Sequence, residues 1–324
     1  MKILVFTIGS SDSGSTRFRI TQYLDLFKAK GFDITTVEKS DVDSTIINSI
    51  KDYDFLINQK CLFKNSIAKK IISFNIPILF DFDDAIYTRP GKPYRFLTKI
   101  KIESRFNFWL KNSNYITVAN HYLKNQCGEH QEKVHVIPMS VDTHTWKPIL
   151  KKHKKIVIGW LGNPVNFQYI EKINNDIIAI KKQFSELEFW TYSGEKPQMN
   201  AIDKHIAYQS IEEYEFINQI DIGLLPLIDE EHVRGKSPIK AIQYMSCGIP
   251  VLGNFYGATK EIVNHDNSFE VTKDQSFETC LRNVLTDKKS VKSKGENSQK
   301  FIVENHDKNK VFKMFYELIN HARS

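Results

Sequence analysis

Short apolar runs alternate with longer amphipathic segments along almost the whole chain, and this alternation restricts the fold more than any other feature of the sequence. Runs of about four to eight apolar residues are typical of buried strands, and apolar residues spaced three and four apart are typical of helices. One helical pattern occupies residues 19–30, where the recurring positions are Ile20, Tyr23, Leu24 and Phe27. The alternation predicts an α/β fold with parallel, doubly wound sheets.

The strand-like runs form two series with a break between them. The first series consists of residues 3–8, 33–37, 55–58, 76–80, 115–118 and 134–137, and the second of residues 156–161, 187–192, 205–208, 220–225, 249–253 and 268–271. The pattern stops at residues 142–148 and the basic run 151–155 follows, so we expect a linker there. We therefore expect two Rossmann-like domains, residues 1–148 and 149–324, facing each other across a cleft, with a final amphipathic helix at about 308–322.

The positive charge of the chain is concentrated in its first half. Basic residues exceed acidic residues by seven overall, and six of these charges fall within residues 1–150. Such a field suits an acidic substrate, an anionic membrane surface or a nucleic acid. No recognised DNA- or RNA-binding motif organises the basic residues, so a nucleic-acid partner is not expected.

The cysteines and the apolar segments indicate where the protein resides. The four cysteines stand far apart, with no pair at zinc-binding spacing: Cys61, Cys127, Cys247 and Cys280. No stretch approaches the ~18 apolar residues of a membrane span, and the apolar start of the chain reads as a buried strand rather than a signal peptide. We expect reduced thiols, no structural metal and a cytoplasmic location.

The sequence GKSPIK at residues 235–240 looks at first like the end of a phosphate-binding loop. Such a loop needs a second glycine five positions before the Gly-Lys pair, and Glu230 occupies that position. A phosphate-binding loop of this type is therefore excluded.

The same residues have the chemistry of a helix start. Ser237 can cap the helix, and Pro238 suits the first helical position. Lys236 and Lys240 place positive charge at the end of a helix that attracts anions and where cations are unfavourable for stability. We therefore expect an anion site here, with two solvated surface lysines as the alternative.

Four blocks lie close together in the second half of the chain: IDIGLLPL at residues 220–227, GKSPIK at 235–240, QYMSCGIPV at 243–251 and GATKEIV at 257–263. Their order and spacing resemble the donor-binding region of group 1 (family 4) glycosyltransferases. Blocks of the first half are similar to the acceptor-side domain of the same family: STRFRI at residues 15–20, ILFDFDDAI at 78–86 and VIPMSVD at 136–142. The resemblance implies the GT-B fold, with the last helix crossing back to the first domain.

The resemblance also implies an enzyme that transfers a sugar with retention at the anomeric carbon. Its donor would be a nucleotide diphosphate sugar, UDP- or GDP-sugar being expected, bound by the second domain. Its acceptor would be a carbohydrate or a lipid-linked carbohydrate, bound by the first domain, and no other cofactor and no metal are implied. Bacterial surface polysaccharide or lipopolysaccharide synthesis is the setting typical of such short members.

Two departures from the family pattern affect the expected donor site. Many members have two glutamates eight positions apart, the first near the donor sugar and the second on the ribose, and here these positions hold Gly235 and Gln243. The Gln243 side-chain oxygen can still accept a hydrogen bond from a ribose hydroxyl. In the first turn of the second domain, relatives often supply an arginine and a lysine to the diphosphate, and here that turn contains Gly162 and Asn163.

The missing positive charge must then come from other residues near the donor phosphates. Arg234, Lys236 and Lys240 are the expected replacements, and we expect Lys240 to stabilise the developing diphosphate leaving group. We therefore count Lys240 among the catalytic residues.

Three carboxylates end the fourth predicted strand: Asp81, Asp83 and Asp84. Aligned by strand end, Asp83 falls near the place where many family members have an active-site histidine that contacts the donor sugar, so the resemblance assigns Asp83 a catalytic role. Asp81 and Asp84 would hold neighbouring loops. The alternative is a hydrogen-bonded network that only caps the strand.

The loop at residues 9–16 joins the first strand to the first helix. Its glycines, Gly14 among them, suit the close approach of a ligand. Arg17 and Arg19 diverge on a helix, so only one of them readily faces the ligand, and we favour Arg17.

Residues 94–111 combine basic and aromatic side chains on one helical segment. A basic aromatic helix can lie in the interface of an anionic membrane, which would place the protein peripherally on the inner membrane face. Packing of the same apolar residues into the core is the alternative, and the sequence does not decide between the two.

Two further functions remain open. A catalytically silent homologue that binds a nucleotide sugar and supports a partner enzyme is favoured by the replaced glutamates. A GT-B sugar-nucleotide epimerase is the closest enzymatic alternative. The sequence does not indicate an oligomeric state.

Overall fold

The computed structural model describes residues 1–150, 155–208 and 213–322, which separate into two compact units. The first unit consists of Met1–Ser140, the short segment Arg234–Ser237 and the residues from Lys308 onward. The second unit consists of Val141–Val233 and Pro238–Asp307. Residues 151–154 of the expected linker lie outside the described residues.

The first unit is built on a parallel sheet. Its strands are β1 (Lys2–Thr7), β2 (Asp33–Glu38), β3 (Phe55–Gln59), β4 (Ile78–Phe82), β5 (Tyr115–Val118) and β6 (Val134–Val136). Within the described residues the strand order is β2-β1-β3-β4-β5-β6. Its helices over Met1–Ser140 are α1 (Gly14–Arg19), α2 (Leu24–Ala29), α3 (Ser44–Ser49), α4 (Asn65–Ile72), α5 (Phe96–Asn112) and α6 (His121–Asn125).

The second unit repeats this architecture. Its strands are β7 (Ile156–Leu161), β8 (Leu187–Ser193), β9 (Lys204–Ala207), β10 (Ile222–Pro226), β11 (Val251–Asn254) and β12 (Ser268–Glu270). They form a parallel sheet in the order β12-β11-β10-β7-β8-β9 over the part of the chain that the structure describes. The helices that follow in chain order are α7 (Phe167–Ile170), α8 (Asn174–Lys181), α9 (Glu213–Ile217), α10 (Glu231–Gly235), α11 (Ile239–Ser246), α12 (Phe277–Thr286) and α13 (Lys288–Asn305).

Both predicted series of strands are confirmed, with bounds that differ by no more than two residues. The prediction is accurate because both faces of each sheet are covered, so the central strands are continuous apolar runs. Alternate residues of β1 illustrate this arrangement: Leu4 and Phe6 belong to one core cluster, and Ile3 and Val5 to the cluster on the other face.

The final helix, α14 (Lys308–His321), packs into the second of these clusters. The Phe312 ring lies 4.8 Å from the Phe27 ring and the Phe315 ring lies 5.6 Å from the Tyr23 ring, measured between centroids. Burying each such aromatic side chain contributes roughly 2 kcal/mol to stability. The first unit therefore contains the last helix, as the fold prediction requires.

The helical pattern at residues 19–30 is divided among three short helical segments in the structure. Helix α1 ends at Arg19, a single 3-10 turn covers Thr21–Tyr23, and α2 starts at Leu24. Phe18, Arg19 and Ile20 are all buried. The Ile20 backbone, with φ −125° and ψ −63°, lies outside the α-helical region and so separates α1 from the turn that follows it.

Helix α5 packs part of its apolar residues into the core and leaves others exposed. Phe106, Trp109 and Leu110 in its second half are buried in the core. Phe96 and Leu97 at its start are 76% and 69% exposed. No helix of the described residues is long and apolar enough to cross a membrane.

Candidate functional site

Polar side chains gather at the carboxyl ends of β3 and β4 in the first unit. Because these strands pair in parallel, the residues that follow them emerge at the same edge of the sheet. Lys60 Nζ lies 2.9 Å from Asp83 Oδ1 and 2.7 Å from Asp84 Oδ2. The Ser15 hydroxyl donates to Asp83 at 2.6 Å and accepts from Lys60 Nζ at 2.9 Å. We call Ser15, Lys60, Asp83 and Asp84 the lysine–aspartate cluster.

The cluster is largely shielded from solvent, and this separates the pKa values of its two carboxyl groups. Burial raises the pKa of Asp83, and the charge of Asp84 adds to this effect against the attraction of Lys60. Burial also acts to raise the pKa of Asp84, but Lys60 and the hydrogen bonds that Asp84 accepts lower it to about 2. Adjacent acidic groups with diverging pKa values are typical of sites where one group exchanges protons and the other stays ionised.

Lys60 combines a buried positive charge with an unusual backbone conformation. Burial alone lowers the pKa of its ammonium group, but Asp83 and Asp84 outweigh this effect and raise the pKa. Its backbone has a φ of 61°, a left-handed conformation that costs a residue with a side chain about 1 kcal/mol or more. Such conformations persist where surrounding contacts enforce them, which is frequent at functional sites.

The segment Arg234–Ser237 belongs to the first unit and contacts the lysine–aspartate cluster. The Ser237 N–H donates to Asp84 Oδ1 at 2.8 Å, and the charge of Lys236 helps to lower the pKa of Asp84. At Gly235 an added Cβ would lie 2.8 Å from the Ala85 Cβ and 3.0 Å from Leu123 Cδ2, so the backbone approaches closely only because this residue is glycine. The structure therefore brings Lys236 and Ser237 together with Asp84, the neighbour of Asp83.

The predicted capping arrangement at this segment is wrong. Helix α11 begins at Ile239, and Pro238 stands at the N-cap position instead of the first helical position. The Ser237 Oγ makes no capping bond; it is buried and has no hydrogen-bond partner among the described residues. The reason is that the Ser237 backbone is fixed by Asp84, one residue before the position that a capping serine needs.

Arg19 and Asp81 form a buried ion pair next to the cluster. Thr117 Oγ1 donates to Asp81 Oδ1 at 2.7 Å, and the Arg19 guanidinium donates to the Ile137 carbonyl at 2.5 Å. These bonds connect α1 with the ends of three strands.

The remaining predicted residues of the first unit lie closer to the surface. Arg17 is half-buried, and its guanidinium carbon lies 4.5 Å from the centre of the Phe18 ring. Gly14, the first residue of α1, is exposed, as is Arg234. The ligand contacts of all three stay predictions.

In the second unit, a buried carboxylate joins the two predicted residues of α11. Glu213 Oε1 lies 3.1 Å from Lys240 Nζ, and Glu213 Oε2 accepts from Gln243 Nε2 at 3.2 Å. Glu213 and Gln243 have no exposed surface, whereas the Lys240 side chain is 28% exposed. The structure therefore groups Lys240 and Gln243 around a residue that the sequence did not single out.

The turn after β7 is fixed to the same helix. The Leu161 N–H donates to the Tyr244 hydroxyl at 2.7 Å. Gly162 follows directly, and a Cβ there would lie 2.4 Å from the Trp160 ring, so packing alone requires glycine at this position. Asn163 is exposed next to it. Through Tyr244, helix α11 is hydrogen-bonded to the predicted donor turn.

Lys60 and Glu213 are polar residues that sequence reasoning missed, whereas Ser15 belongs to the loop at residues 9–16 that it singled out. Lys60 had a usable signal, because it directly follows a buried strand that neighbours the strand ending in Asp83. Glu213 had none, since its partners lie 27 and 30 positions away on another helix. Among the described residues, no group of three or more His, Cys, Asp or Glu side chains is arranged to hold a metal ion.

Comparisons with known proteins establish the fold. No protein-family model matches the chain, and no curated protein matches it in sequence. Sucrose-phosphate synthase from Thermosynechococcus elongatus is 12% identical, with 99% of this chain and 98% of that chain covered and a TM-score of 0.77. Anabaena HepE, solved with UDP and glucose, is 15% identical; the match covers 99% of this chain and 100% of HepE, with a TM-score of 0.71. A glycosyltransferase from Rickettsia africae is 12% identical; the match covers 99% of this chain and 98% of that protein, with a TM-score of 0.69. The chain has the GT-B fold of these proteins.

Proposed function

We propose that this protein is a retaining glycosyltransferase of the group 1 (family 4) type, which moves a sugar from a nucleotide diphosphate donor to a carbohydrate or lipid-linked acceptor. The observation that carries the proposal is the full-length match to GT-B proteins, among them HepE solved with UDP-glucose and an α-glucosyltransferase solved with UDP. In this proposal a UDP- or GDP-sugar binds the second unit and the acceptor binds the first.

The polar groups of the two units support this assignment. Lys240 provides positive charge at the start of α11, where a diphosphate is favoured by the helix end, and Gln243 is one turn further along the helix. In the first unit, the lysine–aspartate cluster provides Asp83, whose raised pKa suits a group that takes part in proton exchange. Synthesis of a bacterial surface polysaccharide or lipopolysaccharide in the cytoplasm is the setting we propose.

A thermal-shift panel of UDP, GDP, ADP and CMP, each also as a sugar nucleotide, tests the proposal. A ligand present at 100 times its dissociation constant stabilises the protein by about 2.7 kcal/mol, which is a clear shift of the melting temperature. We expect a shift with UDP or GDP and with the matching sugar nucleotide, followed by acceptor-dependent release of the nucleotide. The absence of any shift would refute the proposal.

The two alternatives give different outcomes in the same experiments. A silent homologue shows the thermal shift but releases no nucleotide with any acceptor. An epimerase converts the sugar nucleotide into an isomer without an acceptor. Retention is checked by the anomeric configuration of the product.

We also propose that the start of α5 attaches the protein to an anionic membrane surface. Three large apolar side chains stand exposed on one side of its first turns: Phe96, Leu97 and Ile100. Arg95, Lys99 and Lys101 are exposed among them. Apolar side chains that enter the bilayer interface next to basic ones that meet anionic headgroups are the combination that interfacial helices use. A lipid-linked acceptor would be reached from this position.

A further inference from the structure

Glu213 is a buried carboxylate that contacts both predicted donor-site residues of α11, Lys240 and Gln243. It is the first residue of α9 and has no exposed surface. Its two oxygens are divided between Lys240 Nζ, at 3.1 Å, and Gln243 Nε2, at 3.2 Å. A carboxylate in the interior is unfavourable unless charge and hydrogen bonds compensate it, and Lys240 and Gln243 provide both.

This contact fixes the orientation of the Gln243 amide. An ionised carboxylate can only accept hydrogen bonds, so the amide nitrogen of Gln243, not its oxygen, must face Glu213. The Gln243 Oε1 is then the opposite end of the amide. Buried as it is, this oxygen has no hydrogen-bond partner among the described residues.

A buried acceptor without a donor is unfavourable, and a group that donates to it therefore gains more than an ordinary hydrogen bond. Since Gln243 has no exposed surface, neighbouring atoms must shift before a ligand can reach Oε1. A ligand group that reaches Gln243 Oε1 then lies in a site that excludes water. Only a hydrogen-bond donor, such as a hydroxyl, satisfies this oxygen.

We propose that Glu213 is a positioning residue of the donor site: it holds the Gln243 amide so that Oε1 accepts a hydrogen bond from a hydroxyl of the donor's ribose. The inference rests on the proposed function. It explains how the chain works with glutamine where many relatives have glutamate. Glu213 does not face the ligand itself but acts through the amide of Gln243.

Binding of deoxynucleotides tests the proposal. The probes are UDP, 2′-deoxy-UDP and 3′-deoxy-UDP, with the corresponding GDP set where GDP gives the larger thermal shift, and affinity is measured by calorimetry. All probes of a set carry the same diphosphate, so the ratio of their affinities cancels any change that a substitution makes at Lys240. We expect the protein to bind the ribonucleotide about tenfold or more tightly than one of the two deoxy analogues.

In Glu213→Gln only one acceptor oxygen remains, and Lys240 competes for it, so the new amide nitrogen is left towards Gln243 and no longer fixes the orientation of its amide. We expect this variant to lose most of the preference for the ribonucleotide. The exchange variant, Glu213→Gln combined with Gln243→Glu, again pairs one carboxylate with one amide and should recover the preference. Glu215→Gln changes an exposed carboxylate on the same helix and should leave the preference within about twofold of the unmodified protein.

The outcomes separate this inference from the function on which it rests. Binding of neither UDP nor GDP refutes the proposed function and the inference with it. Binding without any preference for the ribonucleotide refutes the inference alone, and so does a preference that survives Glu213→Gln. If Glu213→Gln does not fold, the exchange variant decides: recovery of the preference supports the inference, and its absence in a folded exchange variant overturns it.

Discussion

The Ser237 N–H donates a 2.8 Å hydrogen bond to Asp84 Oδ1 and so joins two residues that stand 153 positions apart in the sequence. The other oxygen of the same carboxylate lies 2.7 Å from Lys60 Nζ. Asp84 therefore binds the end of a strand and the segment Arg234–Ser237 at once. Because both of its oxygens are used, a change on either side affects the other.

Replacing Gly235 by alanine tests how closely the segment Arg234–Ser237 must approach. The added Cβ would lie 2.8 Å from the Ala85 Cβ, so the segment must move away and the Ser237–Asp84 bond lengthens. We expect Gly235→Ala to reduce the free energy of unfolding by about 1–3 kcal/mol, measured by urea denaturation. Gly14→Ala is the matched control, because a Cβ there meets no atom of the described residues within 4 Å. Equal stability of the two variants would contradict the packing described here.

Removing the charge of Lys60 leaves two buried carboxyl groups without their cation. We expect Lys60→Met to lower the free energy of unfolding at neutral pH by about 3–5 kcal/mol, whereas Lys64→Met, at an exposed position, has little effect. The folded-state pKa of Asp84 is lowered to about 2 from 3.8, so its contribution to stability is present above 3.8 and is lost as the pH falls towards 2. The difference between Lys60→Met and the unmodified protein should therefore shrink in acid, and a constant difference would show that the pairing is not electrostatic.

Lys236 and Lys240 are expected to act in turnover. A diphosphate leaving group gains negative charge in the transition state, and removing one group that stabilises such charge typically costs about 10²-fold in kcat. We expect Lys236→Met and Lys240→Met each to lower kcat by roughly that factor. Lys240→Met also removes the cation beside the buried Glu213 carboxylate and should lower stability, so kcat is compared on the folded fraction of each variant. Lys289→Met, at an exposed position in α13, is the control. Unchanged kcat in both variants would remove these lysines from the proposed site.

The exposed start of α5 predicts binding to anionic vesicles. We expect the protein to co-sediment with vesicles that contain phosphatidylglycerol and not with pure phosphatidylcholine vesicles. Phe96→Ser combined with Leu97→Ser should reduce this binding at least tenfold, since each side chain contributes about 1.5 kcal/mol or more when buried. Leu150→Ser, at a position that is 92% exposed in the other unit, should not change it. Binding that is independent of the anionic lipid, or of both α5 substitutions, would exclude a membrane role for this helix.

Stability should fall in alkaline solution because three buried thiols resist ionisation. Burial raises the pKa of Cys61, Cys127 and Cys247 from 9.0 to about 12. Between these values the unfolded chain has lost protons that the folded chain still holds, so stability decreases as the pH rises, by about 1.4 kcal/mol per pH unit for each thiol. Denaturation at several pH values above 9 measures the slope, and Cys61→Ala should reduce it. A slope unaffected by this substitution would mean that Cys61 ionises in the folded state.

The positions of the strands and their parallel arrangement could be predicted from the sequence, because buried parallel strands have a distinct apolar pattern. The side-chain partners could not. Asp83 was singled out by its place after a strand, but its contact with Lys60 depends on which strands are neighbours in the sheet. Helix α1 ends at Arg19, a charged residue that is buried in an ion pair with Asp81. Local periodicity contains no information about such a pair.

Two glycines show the same difference between what the sequence predicts and what tertiary packing decides. The sequence relates Gly162 and Gly235 to the predicted donor site, but neighbours within the protein already exclude a side chain at both positions. The neighbour of Gly162 is the Trp160 ring, and those of Gly235 are Ala85 and Leu123. These neighbours come from tertiary packing. A sequence pattern can mark such a glycine as unusual without telling whether a ligand or the protein itself occupies the space.

The position of α14 has a consequence for how the chain folds during synthesis. Domains usually fold in order as they leave the ribosome, N-terminal regions first. Here Val311, Phe312 and Phe315 complete the core that contains β1, so the first unit stays unfinished until nearly all of the second has been translated. Through that interval the apolar face formed by Tyr23 and Phe27 has no covering helix. A nascent chain stalled before residue 308 should therefore bind chaperones strongly, and extending it through His321 should release them.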